Sequence, residues 1–195
     1  MGTQQKPAYY DHIAPAYDRE RYQDSPYFPL MAQVMLFVKK TPSPKILEIG
    51  CGTGMFAHFL YDEGFRDYRG YDFSEKSLEI ARKKAPQIFL LASAEGDSPY
   101  QWDYNLAVFM EVLEHLENDF APLEKLKNGT KVIITLPKFD DPGHIRFFKK
   151  ARQIKRRYHG YIDIEKVVPI NTWFVLYGTM KPQGQRELPF WWNRL

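Results

Sequence analysis

Two groups of residues in this 195-residue chain have the types and spacing to do chemistry. The first is Glu48-Ile-Gly-Cys-Gly-Thr-Gly54, in which Gly50, Gly52 and Gly54 alternate with Cys51 and Thr53 behind an acid. Glycines let a backbone turn sharply and let a ligand approach it with no Cβ in the way. Asp72 follows, placed to accept hydrogen bonds from both hydroxyls of a ribose; its plainer role is an acid at the start of a helix after Phe73-Ser74. The second group is Glu111, Glu114 and His115, with His144 in Pro142-Gly-His-Ile-Arg-Phe-Phe148. On a helix, spacing i, i+3, i+4 turns the first three to one face. Two carboxylates and an imidazole facing one crevice bind a divalent ion or poise the histidine as a base. Against this stands a solvated helix face carrying Glu114 and Glu117, with His115 as a hydrogen-bonded structural group.

The glycine spacing discriminates among ligands. A dinucleotide loop reads G-x-G-x-x-G; here Gly50 and Gly52 fit, but the third position falls on Met55. A phosphate-binding Walker A loop ends in Gly-Lys-Ser/Thr, which is absent. A merely tight strand–helix turn would not require three alternating glycines behind an acid.

These residues act together only if the chain brings them to one edge. Lys45 to Ile49 reads as a buried strand and Met55 to Glu63 as a helix closed by Gly64. Asp67 to Tyr71 is a second strand, and Ser74 to Lys84 a helix with Ser74 as N-cap. Ile88 to Ala92, Tyr104 to Met110 and Lys131 to Leu136 are further strands, with a helix over 118–127. Before them lie a short helix or lid over Tyr9–Glu20 and a helix from Pro29 to about Lys40, with Leu30, Val34, Phe37 and Val38 on one face. Alternation of strands and helices predicts crossovers and a mainly parallel sheet covered on both faces. Tyr161 to Ile170 and Thr172 to Met180, separated by Asn171 alone, predict a closing antiparallel hairpin. With no repeat and no linker, the reading is one domain over 1–195, with N-terminal lid helices in 1–40 and a core in 45–180.

Bulk properties set limits. Lys and Arg number 27 against 24 Asp and Glu, a net charge of +3 that does not by itself imply nucleic acid. A single cysteine rules out an internal disulfide framework and fits a reducing, cytoplasmic setting. No apolar run is long enough for a membrane span, and the N-terminus lacks the pattern of a secretory signal. Arg146, Lys149, Lys150, Arg152, Lys155, Arg156 and Arg157 form a basic stretch without acids. It is a patch for a phosphate-bearing partner such as RNA or an acidic membrane, or else a solvated helix with Phe147, Phe148, Ala151 and Ile154 inward. Phe190-Trp-Trp192 reads as packing or an interface anchor.

Ile46-Leu-Glu-Ile-Gly-Cys-Gly-Thr-Gly-Met-Phe-Ala57 resembles the first motif of class I S-adenosylmethionine (SAM)-dependent methyltransferases. Gly70-Tyr-Asp-Phe-Ser74 resembles their second, 109–116 the segment after their fourth strand, and Ile134-Thr-Leu-Pro137 the end of their fifth. The resemblance implies an α/β, Rossmann-like three-layer sandwich with a mainly parallel seven-stranded sheet and a terminal antiparallel hairpin. It implies that Glu48 and Gly50, Cys51, Gly52 and Gly54 order the methionine part of SAM and that Asp72 holds the ribose. Phe73 would pack on the adenine, with Ser93 and Ala94 at its edge; Ser93 stands where many relatives carry an acid, and Glu95 is a partial substitute. Met110 and Glu111 would flank the methyl, and Tyr9, Tyr10 or Tyr17 would cover the cofactor. Catalysis would fall to His115 with Glu111 or His144. The pattern resembles the ubiquinone-pathway O-methyltransferases, with a similar Glu-x-x-Glu-His and a later His, and the small-RNA 3′-terminal 2′-O-methyltransferases, where such residues bind a metal; a metal here, if bound, would take Glu111, Glu114, His115 and His144. The expected activity is methyl transfer to oxygen of a small molecule, with RNA 2′-O-methylation and a catalytically silent SAM-binding subunit as alternatives. The methyl acceptor and oligomeric state are left open.

Overall fold

The computed structural model describes residues 2–188; the Phe190-Trp-Trp192 expectation lies outside them. In chain order the elements are α1 (Pro7–Tyr17), α2 (Phe28–Val38), β1 (Ile46–Ile49), α3 (Met55–Asp62), β2 (Tyr68–Asp72), α4 (Glu75–Lys84) and β3 (Ile88–Leu91). There follow β4 (Leu106–Phe109), α5 (Ala121–Lys125), β5 (Lys131–Pro137), α6 (Ala151–Tyr158), β6 (Ile162–Ile170) and β7 (Trp173–Met180). The strands form one seven-stranded sheet in the order β3-β2-β1-β4-β5-β7-β6. The first five strands run parallel, and β7 lies antiparallel between β5 and β6. The alternating pattern and the terminal hairpin thus appear as the sequence requires.

Local chemistry explains the element ends. Ser74 caps α4 by accepting from the Ser77 amide, relieving one unpaired amide of the first turn. Gly64 ends α3 at φ +91°, a left-handed conformation that glycine adopts without penalty. Asn171 opens the two-residue turn of the hairpin at φ 46°, a region asparagine tolerates better than most residues. All four residues of β1 and of β4 are buried, because helices cover both sheet faces. One core packs α2, α3 and α4 on the sheet; the other gathers Leu113, Phe120, Leu123, Ile154 and Tyr158 on the opposite face.

Two expectations change. The helix expected over 118–127 shrinks to α5, since Asn118 and Asp119 are spent on other hydrogen bonds: Asn118 Oδ1 accepts from the Phe120 amide. The segment after β4 is not an α-helix: Glu111 has φ 55° and Leu113–His115 make a single 3-10 turn. Glu111 therefore does not share a helical face with Glu114 and His115.

That turn is braced from below. The wholly buried Asp119 accepts from Arg157 Nε and Nη2 and from Tyr158 Oη, each at 2.7 Å. Arg146 Nε lies 3.6 Å from Asp119, and Arg146 Nη1 donates to the Leu113 carbonyl. Two members of the basic stretch are thus structural. Asp119→Ala strands both guanidinium groups in the protein, and the expected loss is about 3 kcal/mol of unfolding free energy, read from a denaturant titration.

Candidate active site

The end of β1 sets the site. The Gly50 and Cys51 amides both donate to the Tyr71 carbonyl at the end of β2, at 2.7 and 3.1 Å. The chain then turns through Gly50, Gly52 and Gly54 at φ +72°, +52° and +75°, all left-handed. Each glycine has a different reason. A Cβ at Gly50 would meet Val112 Cγ2 at 2.4 Å, and one at Gly54 would meet Ala81 Cβ at 2.9 Å and Ala81 Cα at 3.0 Å. A Cβ at Gly52 would meet nothing within 4 Å, because it projects into open space.

That space is a cavity of about 330 Å³ at the C-terminal edge of the parallel strands, the place where doubly wound sheets bind ligands. Glu48, Gly50, Cys51, Gly52, Asp72, Phe73, Ser93, Ala94, Met110, Glu111, His115, His144 and Tyr17 all line it. Gly54 does not; it sits beneath, closing the packing of α3 on α4. Glu114 is also outside the lining, and so is Glu95, whose carboxylate accepts from Gln4 Nε2 at 3.3 Å instead. The Ser93 hydroxyl accepts from the Glu95 amide.

Asp72 takes the plainer of its two expected roles, the acid at the start of α4, and adds a bond to the glycine turn. Its Oδ2 accepts from the Gly52 amide and its Oδ1 from the Ser74 amide, each at 2.9 Å. The carboxylate thus ties the glycine turn to the start of α4. Burial pushes its pKa upward, against the pull of these amide donors. Glu48 lies deeper, accepting from Tyr68 Oη; burial raises its carboxyl to about 8.

The other end of the cavity holds the second group. Glu111 Oε1 accepts from Thr135 Oγ1 at 2.7 Å, and Oε2 accepts from Trp173 Nε1 at 2.7 Å. The Glu111 amide also donates to Thr135 Oγ1, which fixes its left-handed backbone. His115 Nδ1 lies 2.8 Å from the Gly143 carbonyl, and His144 Nδ1 lies 3.2 Å from the Phe139 carbonyl. A carbonyl only accepts, so these contacts place a proton on Nδ1 of each ring and, in neutral His115, leave Nε2 with its lone pair. The ring centroids are 5.0 Å apart. Burial lowers the His115 pKa and keeps the imidazole neutral. One ligand atom from each of Glu114, His115 and His144 lies within 4.8 Å of the others. Both Glu114 carboxyl oxygens are buried without a hydrogen-bond partner. Burial first, then the neighbouring Glu111, raises the pKa of Glu114.

The N-terminal segment closes over these residues. Tyr10 packs on Phe73 at 5.0 Å and on His115 at 6.0 Å between ring centroids. Asp11 Oδ1 accepts from Ser74 Oγ at 2.6 Å, and Lys84 bonds Asp18 at the far end of α1. The Gly2 amide donates to the His144 carbonyl at 2.9 Å. Sequence reasoning passed over Thr135, Trp173, Tyr27, Phe139 and Asp141. Only Thr135, a hydroxyl inside an apolar strand, carried a local signal.

A glycine turn at the end of β1, an acid at the end of β2, and a parallel sheet closed by an antiparallel hairpin define a Rossmann-like nucleoside-binding enzyme. A family model described as a methyltransferase domain matches residues 19–161. The chain belongs to that family, among the class I SAM-dependent methyltransferases. A ubiquinone biosynthesis O-methyltransferase of Photobacterium profundum is 30% identical over 138 residues, covering 66% of this chain and 54% of that protein. The chain thus spans about half the length of the curated relatives it matches. Among solved structures, the PH0226 protein of Pyrococcus horikoshii superposes with a TM-score of 0.67 at 20% identity, covering 89% of this chain and 99% of its own. The N-methyltransferase NodS of Bradyrhizobium japonicum, solved with S-adenosylhomocysteine, has a TM-score of 0.67 at 14% identity, covering 89% and 99%. At these identities the structural likeness speaks for the fold.

Gly52→Ala and Gly54→Ala separate binding from folding. Gly52→Ala costs about 1 kcal/mol of backbone strain, and its methyl enters the cavity, so the protein stays folded and S-adenosylhomocysteine binding is lost in calorimetry. Gly54→Ala adds overpacking of about 1–3 kcal/mol against Ala81 to the same strain, and its thermal midpoint falls clearly further.

Proposed function

We propose that this chain transfers a methyl group from SAM to an oxygen of a small, uncharged acceptor, acting as one unit with residues 1–40 as cover and 45–180 as core. The observation that carries the reading is the charge of the cavity. Among the described residues that line it, the acids are Glu48, Asp72, Glu111 and Asp141, and there is no lysine or arginine. A cationic sulfonium meets no like charge there, whereas a phosphate or carboxylate on the acceptor would find no lysine or arginine to pair with. That disfavours RNA as the acceptor. It agrees with α6, whose Ile154 and Tyr158 are buried while Arg152, Lys155 and Arg156 face solvent as on an ordinary solvated helix. The relatives named for O-methylation support the choice of oxygen.

In this reading Gly52 and the left-handed turn admit the ligand, with Asp72 at its ribose, Phe73 and Ala94 at its base and Glu48 at its amino group. SAM supplies a methyl group already activated by the sulfonium. The residues therefore have to align the acceptor oxygen with the methyl carbon and sulfur, and to take the hydroxyl proton. The free Nε2 of His115 is the proton acceptor, held by Gly143 and pressed by Tyr10. Glu111, with both oxygens already bonded, is a fixed wall of the acceptor compartment rather than a base.

A second reading has its own observation. The buried carboxyl of Glu114, with His115 and His144, offers oxygen and nitrogen donors that suit a divalent cation, which would lower the pKa of an acceptor hydroxyl. Glu111 would not be among these ligands. Chelator separates the two: turnover that survives exhaustive EDTA treatment fits His115 as base, and turnover lost to EDTA and restored by a divalent ion fits the metal.

The first test is calorimetric titration with S-adenosylhomocysteine, followed by a panel of phenols and alcohols beside RNA. His115→Ala is expected to bind S-adenosylhomocysteine normally and to lose about 10²–10⁴-fold in kcat. Binding without turnover across the panel would favour the silent subunit.

Glu48 also gives a pH signature. Its free-site pKa near 8 means that it is protonated at neutral pH, and an adjacent ammonium group favours the carboxylate. Ligand binding therefore releases a proton below about pH 8, and affinity falls as pH drops from there, by up to about tenfold per unit. Calorimetry in buffers of different ionisation enthalpy reads the proton directly, and Glu48→Gln flattens the profile.

A further inference from the structure

The two edges of the sheet are built differently. The outer edge of β6 carries exposed Asp163, Glu165, Lys166 and Pro169, with an irregular register between Ile164 and Lys166. Charge, proline and bulges are the devices that keep an edge strand from pairing with another chain. β3, the opposite edge, has none of them within its own four residues, and among the described residues only the Arg82 guanidinium reaches its outer side. It reads Ile88-Phe89-Leu90-Leu91, keeps an unbroken register with β2, and exposes Ile88 by 49%, Leu90 by 38% and Leu91 by 56%. An open apolar edge of this kind is a template for strand addition.

We propose that β3 pairs with the β3 of a second copy of this chain, antiparallel, about a two-fold axis at Leu90. The backbone sets the register. The Ala92 amide donates to the Asp72 carbonyl of β2, so residues 88, 90 and 92 turn their backbone groups inward. Phe89 and Leu91 turn theirs outward; the Phe89 carbonyl accepts from Arg82 Nη2 at 3.3 Å outside the sheet. About an axis at Leu90, Phe89 exchanges hydrogen bonds with the partner's Leu91. Leu90 meets the partner's Leu90 as a close, non-hydrogen-bonded pair, and Ile88 meets the partner's Ala92. Every exposed apolar side chain of β3 then lands on an apolar residue, and the contact is isologous.

Charge selects a second copy and the antiparallel direction. Arg82 and Lys83 are exposed on the chain before β3, and Glu95 and Asp97 on the chain after it, Asp97 already paired with Lys125. Antiparallel self-pairing sets the basic flank of each copy beside the acidic flank of the other, whereas parallel self-pairing would set like beside like. Arg82, held mainly by an exposed pair with Glu75, is free to swing or to share the Phe89 carbonyl.

The test is sedimentation of the full chain over a concentration series. Wild type is expected to form a reversible dimer, and Leu90→Lys to weaken self-association about tenfold or more while leaving S-adenosylhomocysteine binding and the thermal midpoint unchanged. Leu90→Cys gives an independent reading, because the single native cysteine, Cys51, is buried. Under mild oxidation it should form a disulfide-linked dimer across the axis, well ahead of Leu36→Cys, a more exposed control on α2. A wild type that stays monomeric at its highest soluble concentration overturns the proposal. So does a Leu90→Lys dimer as tight as wild type, cross-linking of Leu36→Cys as fast as Leu90→Cys, or a β3 edge that captures only a different protein.

Discussion

The hydrogen bond from the Gly52 amide to Asp72 joins the two structural facts on which the site depends. One is that the chain leaves β1 through three left-handed glycines; the other is that β2 ends in a carboxylate. With the Gly50 and Cys51 amides on the Tyr71 carbonyl, this bond stitches the two strand ends together and holds the glycine turn open. Buried polar groups without partners are costly. The turn and the acid therefore stabilise each other before any ligand arrives, and the cavity is largely preformed.

Desolvation governs the chemistry around that turn. Glu48, Asp72, Glu111 and Glu114 are all buried or nearly so, and burial raises the pKa of each. Asp72 and Glu111 are compensated by donors, Glu48 by a single tyrosine hydroxyl, and Glu114 only by the charge of Arg146 and its own backbone. The incomplete compensation of Glu48 and Glu114 leaves them responsive to an incoming cationic group. The same burial holds His115 neutral, with its tautomer fixed by the Gly143 carbonyl.

Charge is also segregated along the chain. Seven cations fall between residues 146 and 157 without an acid, yet the cavity collects acids. Arg146 and Arg157 are drawn inward onto Asp119 and brace the turn that carries His115. The rest of the basic stretch faces solvent, away from the cavity lining, so a mildly basic protein has an acidic site. Net charge alone would have suggested the opposite.

Much of the fold was legible because its causes are local. Periodicity, Ser74 as cap, Gly64 as stop and Asn171 in the hairpin turn act over a few residues, and the three glycines announce left-handed backbone wherever they are placed. The helical spacing of Glu111, Glu114 and His115 misled for the same reason. Local spacing says nothing of Thr135, 24 residues away, or of Trp173, 62 residues away, whose hydrogen bonds pull Glu111 out of a helix. The covering of the cavity by Tyr10, and the bracing of the site by Asp119 and Arg157, likewise depend on partners distant in sequence. The order of elements, the glycine turn and the acid after it are written in the residues themselves. Which carboxyls are satisfied, which imidazole nitrogen is free and which sheet edge is apolar became fixed on folding, because burial and long-range hydrogen bonds exist only once the chain has closed on itself.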